Sequence, residues 1–270
     1  MRIVSICPSN TELVGYLELT DKLVGIDDFS DWPKEVNGLR RLGSDLDIDM
    51  DKLEELKPDI VLASLSVPGM EKNVEQLKKR NIPHIVLNPN SLAEIRDSLI
   101  ETAEVLGVKK RGEQLAGRFD AIVEQYEKLS AAVAREKTLY WEWWPKPVFT
   151  PGKKNWLTDV SRLAGARNVF ETENVASFQT TWEDVYARNP GHICLVWVGV
   201  QEEKVDIQKI ISRPNWHNLS AVKNRRLYVL EESIYCRPSP RILEGLAKLA
   251  HLLHPDVFPG YNGKDPLKNP

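Results

Sequence analysis

The sequence predicts an α/β fold of two similar lobes, each around a central parallel-type sheet, joined by one long rigid helix. Three observations lead there. Residues 49–63 and 181–195 both read as a capped helix, a tight turn and a buried strand, and their prolines, Pro58 and Pro190, lie 132 positions apart (190 − 58). Strands alternate with helical periods in both halves, the pattern of parallel sheets with right-handed crossovers. Between the halves runs a long stretch, about Lys110 to Lys137, with Leu115, Phe119, Ile122, Val123, Tyr126, Leu129 and Val133 at spacings of three and four. That is one apolar stripe on a charged helix. At 1.5 Å per residue it reaches about 40 Å, long enough to act as a spine between lobes. The expected division is 1–108 for the N-terminal lobe, 109–137 for the bridging helix and 138–270 for the C-terminal lobe. Two lobes make a cleft, and clefts are where ligands bind.

The elements follow in order. Arg2–Ile6 is a strand. Ser9-Asn10-Thr11-Glu12 has the form of a capping box opening a helix to about Leu19. Leu23–Ile26 is a short strand. Asp49 caps the helix that ends before Lys57-Pro58, and Ile60–Ala63 follows as a strand. Glu71–Arg80 is a helix leading to strand His84–Leu87, and Ser91-Leu92-Ala93-Glu94 is a second capping box, for a helix to about Leu106. The second half holds strands Thr138–Trp143 and Val148–Phe149, helices Trp156–Ala164 and Trp182–Arg188, strands His192–Val198 and Arg226–Leu230, and helix Pro240–Leu253. Asn81–Leu87 and Asn224–Leu230 form a second repeated pair. The tail from His254 to Pro270 is polar and rich in Pro and Gly, expected to wrap on the surface or fray.

Composition narrows the function. Net charge is −3, from 36 basic and 39 acidic residues that are well mixed, so no basic stripe invites nucleic acid. No apolar run approaches the length of a membrane span. The chain enters a strand at once, without the segments of a signal peptide. As written it reads as cytoplasmic; if a signal was removed, it is extracytoplasmic. Three separated cysteines, Cys7, Cys194 and Cys236, argue against a disulfide framework or a zinc site.

In parallel sheets the binding loops follow the carboxyl ends of strands. Here those loops are Cys7–Asn10, Asp27–Trp32, Ser64–Gly69, Asn88–Asn90, Trp143–Pro147, Val198–Gln201 and Glu231–Arg237. They carry aromatic, amide and hydroxyl groups and no Gly-rich phosphate cradle. Of 8 tryptophans, Trp141, Trp143 and Trp144 cluster most densely. Trp141 is read as core or ligand wall and Trp144 as a surface plug. Trp143 ends its strand beside Pro145 and Pro147, which stop regular pairing, and is expected to line the cleft. Such rings favour a large flat ligand.

No catalytic set emerges. The 5 histidines are scattered, with His84 and His192 read as core residues and His251 and His254 as surface. No serine hydrolase elbow appears. The aspartates of 27–31 and 45–51 read as solvated loops or a carboxylate cation site, without an EF-hand pattern. Asp51 and Glu183, repeat equivalents, stand in the first turns of their helices, where the helix dipole favours carboxylates. They are capping acids or a matched pair offered to a two-fold partner.

Ser9–Leu13, Asp28–Pro33, Leu56–Asp59, Phe149–Lys153 and Arg237–Ile242 together resemble the cobalamin-binding proteins of bacterial ABC uptake systems, in order and across nearly the whole chain. The resemblance implies the class III periplasmic-binding-protein fold, the metal-chelate class with a helical backbone. It implies a non-enzymatic binding protein with no cofactor of its own, no catalytic residue and no metal site, and cobalamin or a related corrinoid as ligand. It places Phe29 and Trp143 at aromatic contacts, Phe178 near a third, and Arg237 at a polar contact. Trp32 and Tyr235 complete the expected grip. Asp45 and Ser233 depart from the family pattern, which has Trp and Asp there. Asp51 and Glu183 match the acids that dock on the permease. A monomer is expected. The alternatives are a ferric siderophore or haem as ligand, and a cytosolic corrinoid carrier, sensor or processing factor.

Overall fold

The computed structural model describes residues 1–134 and 136–268. Arg135, inside the expected helix, and Asn269 and Pro270, at the end of the expected tail, lie outside the described residues. The chain divides into two compact units: Met1–Pro89, Ala93–Phe119 and Pro238–Pro240 in the first, Asn90–Leu92, Asp120–Arg237 and Arg241–Pro270 in the second.

In the first unit the elements are β1 (Ile3–Ser5), α1 (Pro8–Tyr16), β2 (Leu23–Ile26), β3 (Gly43–Ser44), β4 (Asp47–Ile48), α2 (Met50–Glu55), β5 (Ile60–Ser64), α3 (Glu71–Lys79) and β6 (His84–Leu87). Then come α4 (Leu92–Val105) and α5 (Lys109–Ala131). The second unit adds β7 (Lys137–Glu142), β8 (Trp144–Pro145), β9 (Val148–Pro151), α6 (Trp156–Leu163), β10 (Ala166–Asn168), β11 (Ser177–Thr180), α7 (Trp182–Arg188) and β12 (His192–Leu195). It closes with α8 (Ile207–Ile211), α9 (Ser220–Lys223), β13 (Leu227–Val229), α10 (Glu232–Tyr235) and α11 (Ile242–Leu253).

The two units are built alike. The first sheet has the order β2-β1-β5-β6 and the second β10-β7-β12-β13, every pair parallel. The expected repeat sits at the same place in each. Asp49 caps α2 by accepting from the Lys52 amide at 3.1 Å, and Thr181 caps α7 by accepting from Asp184 at 3.2 Å. Both helices end on a left-handed residue, Lys57 (φ 46) and Asn189 (φ 42), ahead of the repeated proline. The second repeated pair is in register along its strands, where Val61 faces His84 and Ile193 faces Leu227. Its entry differs by one residue, because the left-handed Asn81 precedes His84 by one residue more than Arg225 precedes Leu227.

Several elements differ from the sequence reading. Ser9–Glu12 do not cap α1. The helix opens at Pro8 behind Cys7, and all of its residues are buried. Its polar side chains serve other groups: the Asn10 amide donates to the Ala63 carbonyl at 2.9 Å, and Glu12 accepts from Ser239, which belongs to the same unit. Helix α5 stops at Ala131 because Lys137 already opens β7, and its course passes from the first unit to the second at Phe119–Asp120. Pro145 does not end pairing. Trp144 and Pro145 pair antiparallel with Phe149 and Val148, and β9 pairs in turn with β11. The hairpin β3–β4 fell within a stretch read as loop. The tail as far as residue 268 is packed rather than frayed, with Phe258 and Leu267 buried and Phe258 stacked on Tyr126 at 5.6 Å.

The core of the second unit contains a charged pair. Glu142, at the end of β7, is fully buried and binds Arg213 through both oxygens, at 2.5 and 2.8 Å. Tyr140 and Trp197 donate to the same carboxylate at 3.0 and 3.1 Å. The Arg213 guanidinium lies over the rings of Trp216 and Trp182, 4.5 and 5.0 Å from their centroids. Removing one member strands a buried charge, which costs about 3–5 kcal/mol. Arg213→Met alone is expected to lower unfolding free energy by that amount in urea titration, and the Glu142→Gln/Arg213→Met double variant by clearly less.

His192, at the amino end of β12, is a core residue as expected. Its Nδ1 lies 3.2 Å from the Tyr228 hydroxyl, and its Nε2 has no hydrogen-bond partner among the described residues. Burial, then the positive charges of Lys137 and Arg226, push its pKa down to about 4. The unfolded chain therefore binds a proton that the fold does not. Stability is full above the unfolded value, near 6.5, and is lost as pH falls toward 4, by ~3 kcal/mol in all. Denaturant unfolding of wild type and of His192→Gln at pH 7, 5.5 and 4.5 should show this contribution as a stability difference between the two that shifts in favour of wild type as pH rises.

Candidate ligand-binding site

The carboxyl ends of β1, β2, β5 and β6 form one sheet edge in the first unit, and those of β7, β12 and β13 form another in the second. Binding in open α/β sheets takes place at such ends.

In the first unit, Phe29 stands in the loop after β2 and is 51% exposed, rare for a phenyl ring. The loop is held from inside by Asp27, fully buried, whose Oδ1 accepts from the amides of Phe29 and Ser30 at 2.8 and 3.0 Å. It is held from the other side by Arg41, whose Nη1 donates to the carbonyls of Asp27 and Ser30 at 2.9 and 2.6 Å. Trp32 is half-buried, its ring tilted on Tyr16 with centroids 5.0 Å apart. It rests on Gly15, where an added Cβ would lie 2.7 Å from Pro33 and 2.9 Å from the Trp32 ring.

In the second unit, Trp143 follows β7, half-buried, with its ring 5.5 Å from that of Trp156. Its indole N–H is buried with no hydrogen-bond partner among the described residues. Phe178 sits on β11 opposite Thr150, half-buried against Phe170 at 5.9 Å, so one face of its ring is committed to the core. Arg237 is buried and lies 3.7 Å from Glu232. Tyr235 is not on the ligand side. It is fully buried, its ring 5.5 Å from Trp141, its hydroxyl donating to the Gly245 carbonyl at 2.9 Å. The short helix α10 turns it inward, where it shapes the wall behind Trp156, whose indole donates to the Tyr235 carbonyl at 2.8 Å. Trp141 is core and Trp144, 42% exposed, lies on the surface.

Other sequence candidates resolve into structure. Cys7 and Cys194 are buried, which pushes the Cys7 thiol up to about 11 and the Cys194 thiol higher still. The Cys236 thiol is raised by burial too and donates to the Val196 carbonyl at 3.2 Å. None has a nucleophile's environment. His84 Nδ1 lies 2.7 Å from the Ile82 carbonyl. His254 is buried, not superficial, because its Nε2 meets the Gly165 carbonyl at 3.0 Å. Glu142 is bound by Arg213 through both of its oxygens. Leu46 escaped the sequence reading. At the tip of the β3–β4 hairpin it is 40% exposed. The signal was Gly43, whose φ of 103 and whose approach to the Asp47 carbonyl, 2.8 Å from an added Cβ, mark a tight turn.

Asp51 and Glu183 stand in the first turns of α2 and α7 as expected, both exposed. Asp51 is 84% exposed on its side chain and pairs with Arg80 at 2.6 Å.

The chain belongs to the periplasmic binding protein family, whose model matches residues 3–234. It is thus a substrate-binding protein of the ABC-transporter type with the class III fold. It is 30% identical over 267 residues to an uncharacterized ABC transporter substrate-binding lipoprotein of Bacillus subtilis, covering 95% of this chain and 81% of the relative. It is 25% identical to a vitamin B12-binding protein of Vibrio parahaemolyticus, covering 92% and 87%. The crystal structure of the periplasmic vitamin B12 binding protein of Vibrio cholerae is similar at a TM-score of 0.74 and 25% identity, covering 93% of this chain and 96% of that one. The haem-complexed IsdE of Staphylococcus aureus shares the fold at a TM-score of 0.81 and 20% identity, covering 96% and 98%. No helix among the described residues is long and apolar enough to cross a membrane.

Gly15→Ala should push Trp32 and Pro33 from their seats, since an added Cβ falls 2.7 Å from the pyrrolidine and 2.9 Å from the indole. The expected result is a shifted tryptophan emission maximum and an affinity for the ligand at least several-fold weaker, with secondary structure by circular dichroism unchanged.

Proposed function

We propose that the protein binds cobalamin or a related corrinoid without catalysis and delivers it to an ABC permease. The observation that carries this reading is the match, over nearly the whole chain, to relatives named for vitamin B12 binding. The site chemistry supports it. Phe29, Trp32, Trp143 and Phe178 offer apolar ring surface for a broad flat molecule, and Arg237 offers donors for amide oxygens. Ring stacking contributes about 0.5–1.5 kcal/mol per pair beyond area burial. Tyr235 acts from behind as packing.

Haem or a ferric siderophore is the runner-up, supported by fold neighbours alone. Asp28 and Asp31 flank Phe29 in its loop, a repulsive setting for an anionic ligand. The relatives named periplasmic or lipoprotein support an extracytoplasmic place of action.

Asp51 and Glu183 are proposed as the acids that meet basic residues of the permease. Asp51 must exchange Arg80 for a partner cation, and an exposed pair of that kind holds only about 0–1 kcal/mol. The exchange is therefore cheap.

Titration with cyanocobalamin, read by tryptophan quenching and calorimetry, tests the ligand. Binding is expected well below 100 µM, a weak-affinity bound of about −5.5 kcal/mol, and none at that concentration refutes the reading. Phe29→Ala and Trp143→Ala should each weaken it by about tenfold, or ~1.4 kcal/mol. Asp51→Ala/Glu183→Ala should leave affinity unchanged while abolishing uptake in a reconstituted transport assay.

A further inference from the structure

Behind the exposed Phe29, four side chains and one carbonyl of the first unit form an unbroken polar chain. Asp27 Oδ2 lies 2.5 Å from Ser30 Oγ. Ser30 Oγ lies 2.7 Å from Thr11 Oγ1, which lies 2.8 Å from Ser5 Oγ. Ser5 Oγ lies 3.1 Å from the Cys7 carbonyl oxygen. Ser5, Thr11, Asp27 and Ser30 are all buried.

These four contacts require four protons. The three hydroxyls bring one each, and the terminal carbonyl brings none. An ionised Asp27 therefore leaves one close oxygen–oxygen contact with no hydrogen between its atoms. A neutral Asp27 supplies the missing proton. The chain then runs in one direction, Asp27 to Ser30 to Thr11 to Ser5 to the Cys7 carbonyl. Oδ1 stays free of that proton and keeps both amides, of Phe29 and Ser30. A second approach of Thr11 Oγ1 to the Cys7 carbonyl, at 3.4 Å, adds an acceptor and no proton, so it does not change the count.

We propose that Asp27 is a positioning residue of the ligand site: as the neutral acid it completes this chain and fixes the loop that presents Phe29, so that ligand binding takes up a proton. The inference rests on the ligand reading above. A ligand laid on Phe29 excludes water from the loop and further disfavours a carboxylate beneath it.

The groups facing Asp27 act in both directions: burial and the Asp45 charge favour the neutral acid, while the Ser30 hydroxyl and the amides of Phe29 and Ser30 favour the carboxylate. Cys7, at the start of α1, is a thiol kept neutral. Asp45, in the β3–β4 turn, is a second carboxylate whose charge opposes ionisation of Asp27, and Asp28 accepts from the Gly43 amide at 3.2 Å. Arg41 directs its Nη1 to the loop's backbone carbonyls. Burial is the largest influence and pushes the Asp27 carboxyl up to about 6.

The test is cyanocobalamin affinity from pH 5 to 8, with calorimetry in buffers of different ionisation heat to count protons. Wild-type affinity should be about threefold to tenfold higher at pH 5 than at pH 8, the change that a pKa rise of up to one unit on binding gives. Proton uptake should be measurable near pH 7. Asp27→Asn, whose amide donates to Ser30 and whose oxygen accepts the two amides, should hold the low-pH wild-type affinity at every pH. Ser30→Ala, which cuts the chain, should flatten the profile at the weak level, as should Asp27→Ala. A flat wild-type profile without proton uptake, or an Asn variant as weak as the Ala variant, overturns the proposal. Infrared titration of the ligand-free protein separates the two readings. A carboxylic C=O band near pH 5 that vanishes in Asp27→Asn is expected, and its absence overturns the proton chain. Failure of cyanocobalamin to bind at any pH overturns the corrinoid assignment instead.

Discussion

The buried bond between Glu142 and Arg213 is the constraint around which the second unit is arranged. A carboxylate with no exposure can persist only where its charge is matched and its lone pairs are filled. Arg213 matches it in fork geometry, and Tyr140 and Trp197 fill the remainder. Because Arg213 is also gripped by the faces of Trp182 and Trp216, the end of β7 and the start of α7 are fixed to one point. Trp143 follows Glu142 directly and Glu183 follows Trp182 directly. The proposed ligand contact and the proposed docking acid of this unit thus hang from one network.

The first unit solves the same position differently. Ser5 pairs with Leu62, and Trp141 with Cys194, the repeat equivalent of Leu62, so Glu142 takes the place that Ile6 holds in the first unit. Ile6 is buried and apolar. The polar work shifts one strand over, to Asp27 at the end of β2 and the hydroxyls of Ser5, Thr11 and Ser30. Equivalent backbones therefore carry an ion pair in one copy and a proton chain in the other.

Periodicity made most of the fold legible. Strand and helix alternation, the repeat and the long helix all follow from where apolar residues recur, and burial enforces that pattern. Direction of side chains was less legible. Ser9–Glu12 has the letters of a capping box, but a helix buried on all sides turns such groups toward neighbouring backbone. The strand was read as far as Trp143, yet β7 ends at Glu142 and Trp143 leaves it. Tyr235 looked exposed because it follows a strand end, and only the turn of α10 points it inward. The loop position and exposure of Phe29 were legible because Asp-Asp-Phe-Ser-Asp-Trp-Pro has no helical or strand period to bury it. The proton count around Asp27 was not, since Ser5, Thr11 and Ser30 meet through three separate elements.

The two units carry opposite pH dependences. His192, neutral in the fold and protonated when unfolded, makes stability rise with pH between about 4 and 6.5. Asp27, protonated in the fold up to about 6 and ionised earlier when unfolded, makes stability fall with pH from about 4 to 6. Each slope is limited to ~1.4 kcal/mol per pH unit for one proton. Across the shared window they oppose each other with similar weight in the unfolding equilibrium of the whole chain. Binding as proposed does not share this cancellation, because the loop that presents Phe29 is built on Asp27, while His192 lies at the amino end of β12, opposite to the carboxyl end proposed for binding. A drop from pH 6 to pH 5 can then change the grip on the ligand while leaving the fold nearly as stable as before.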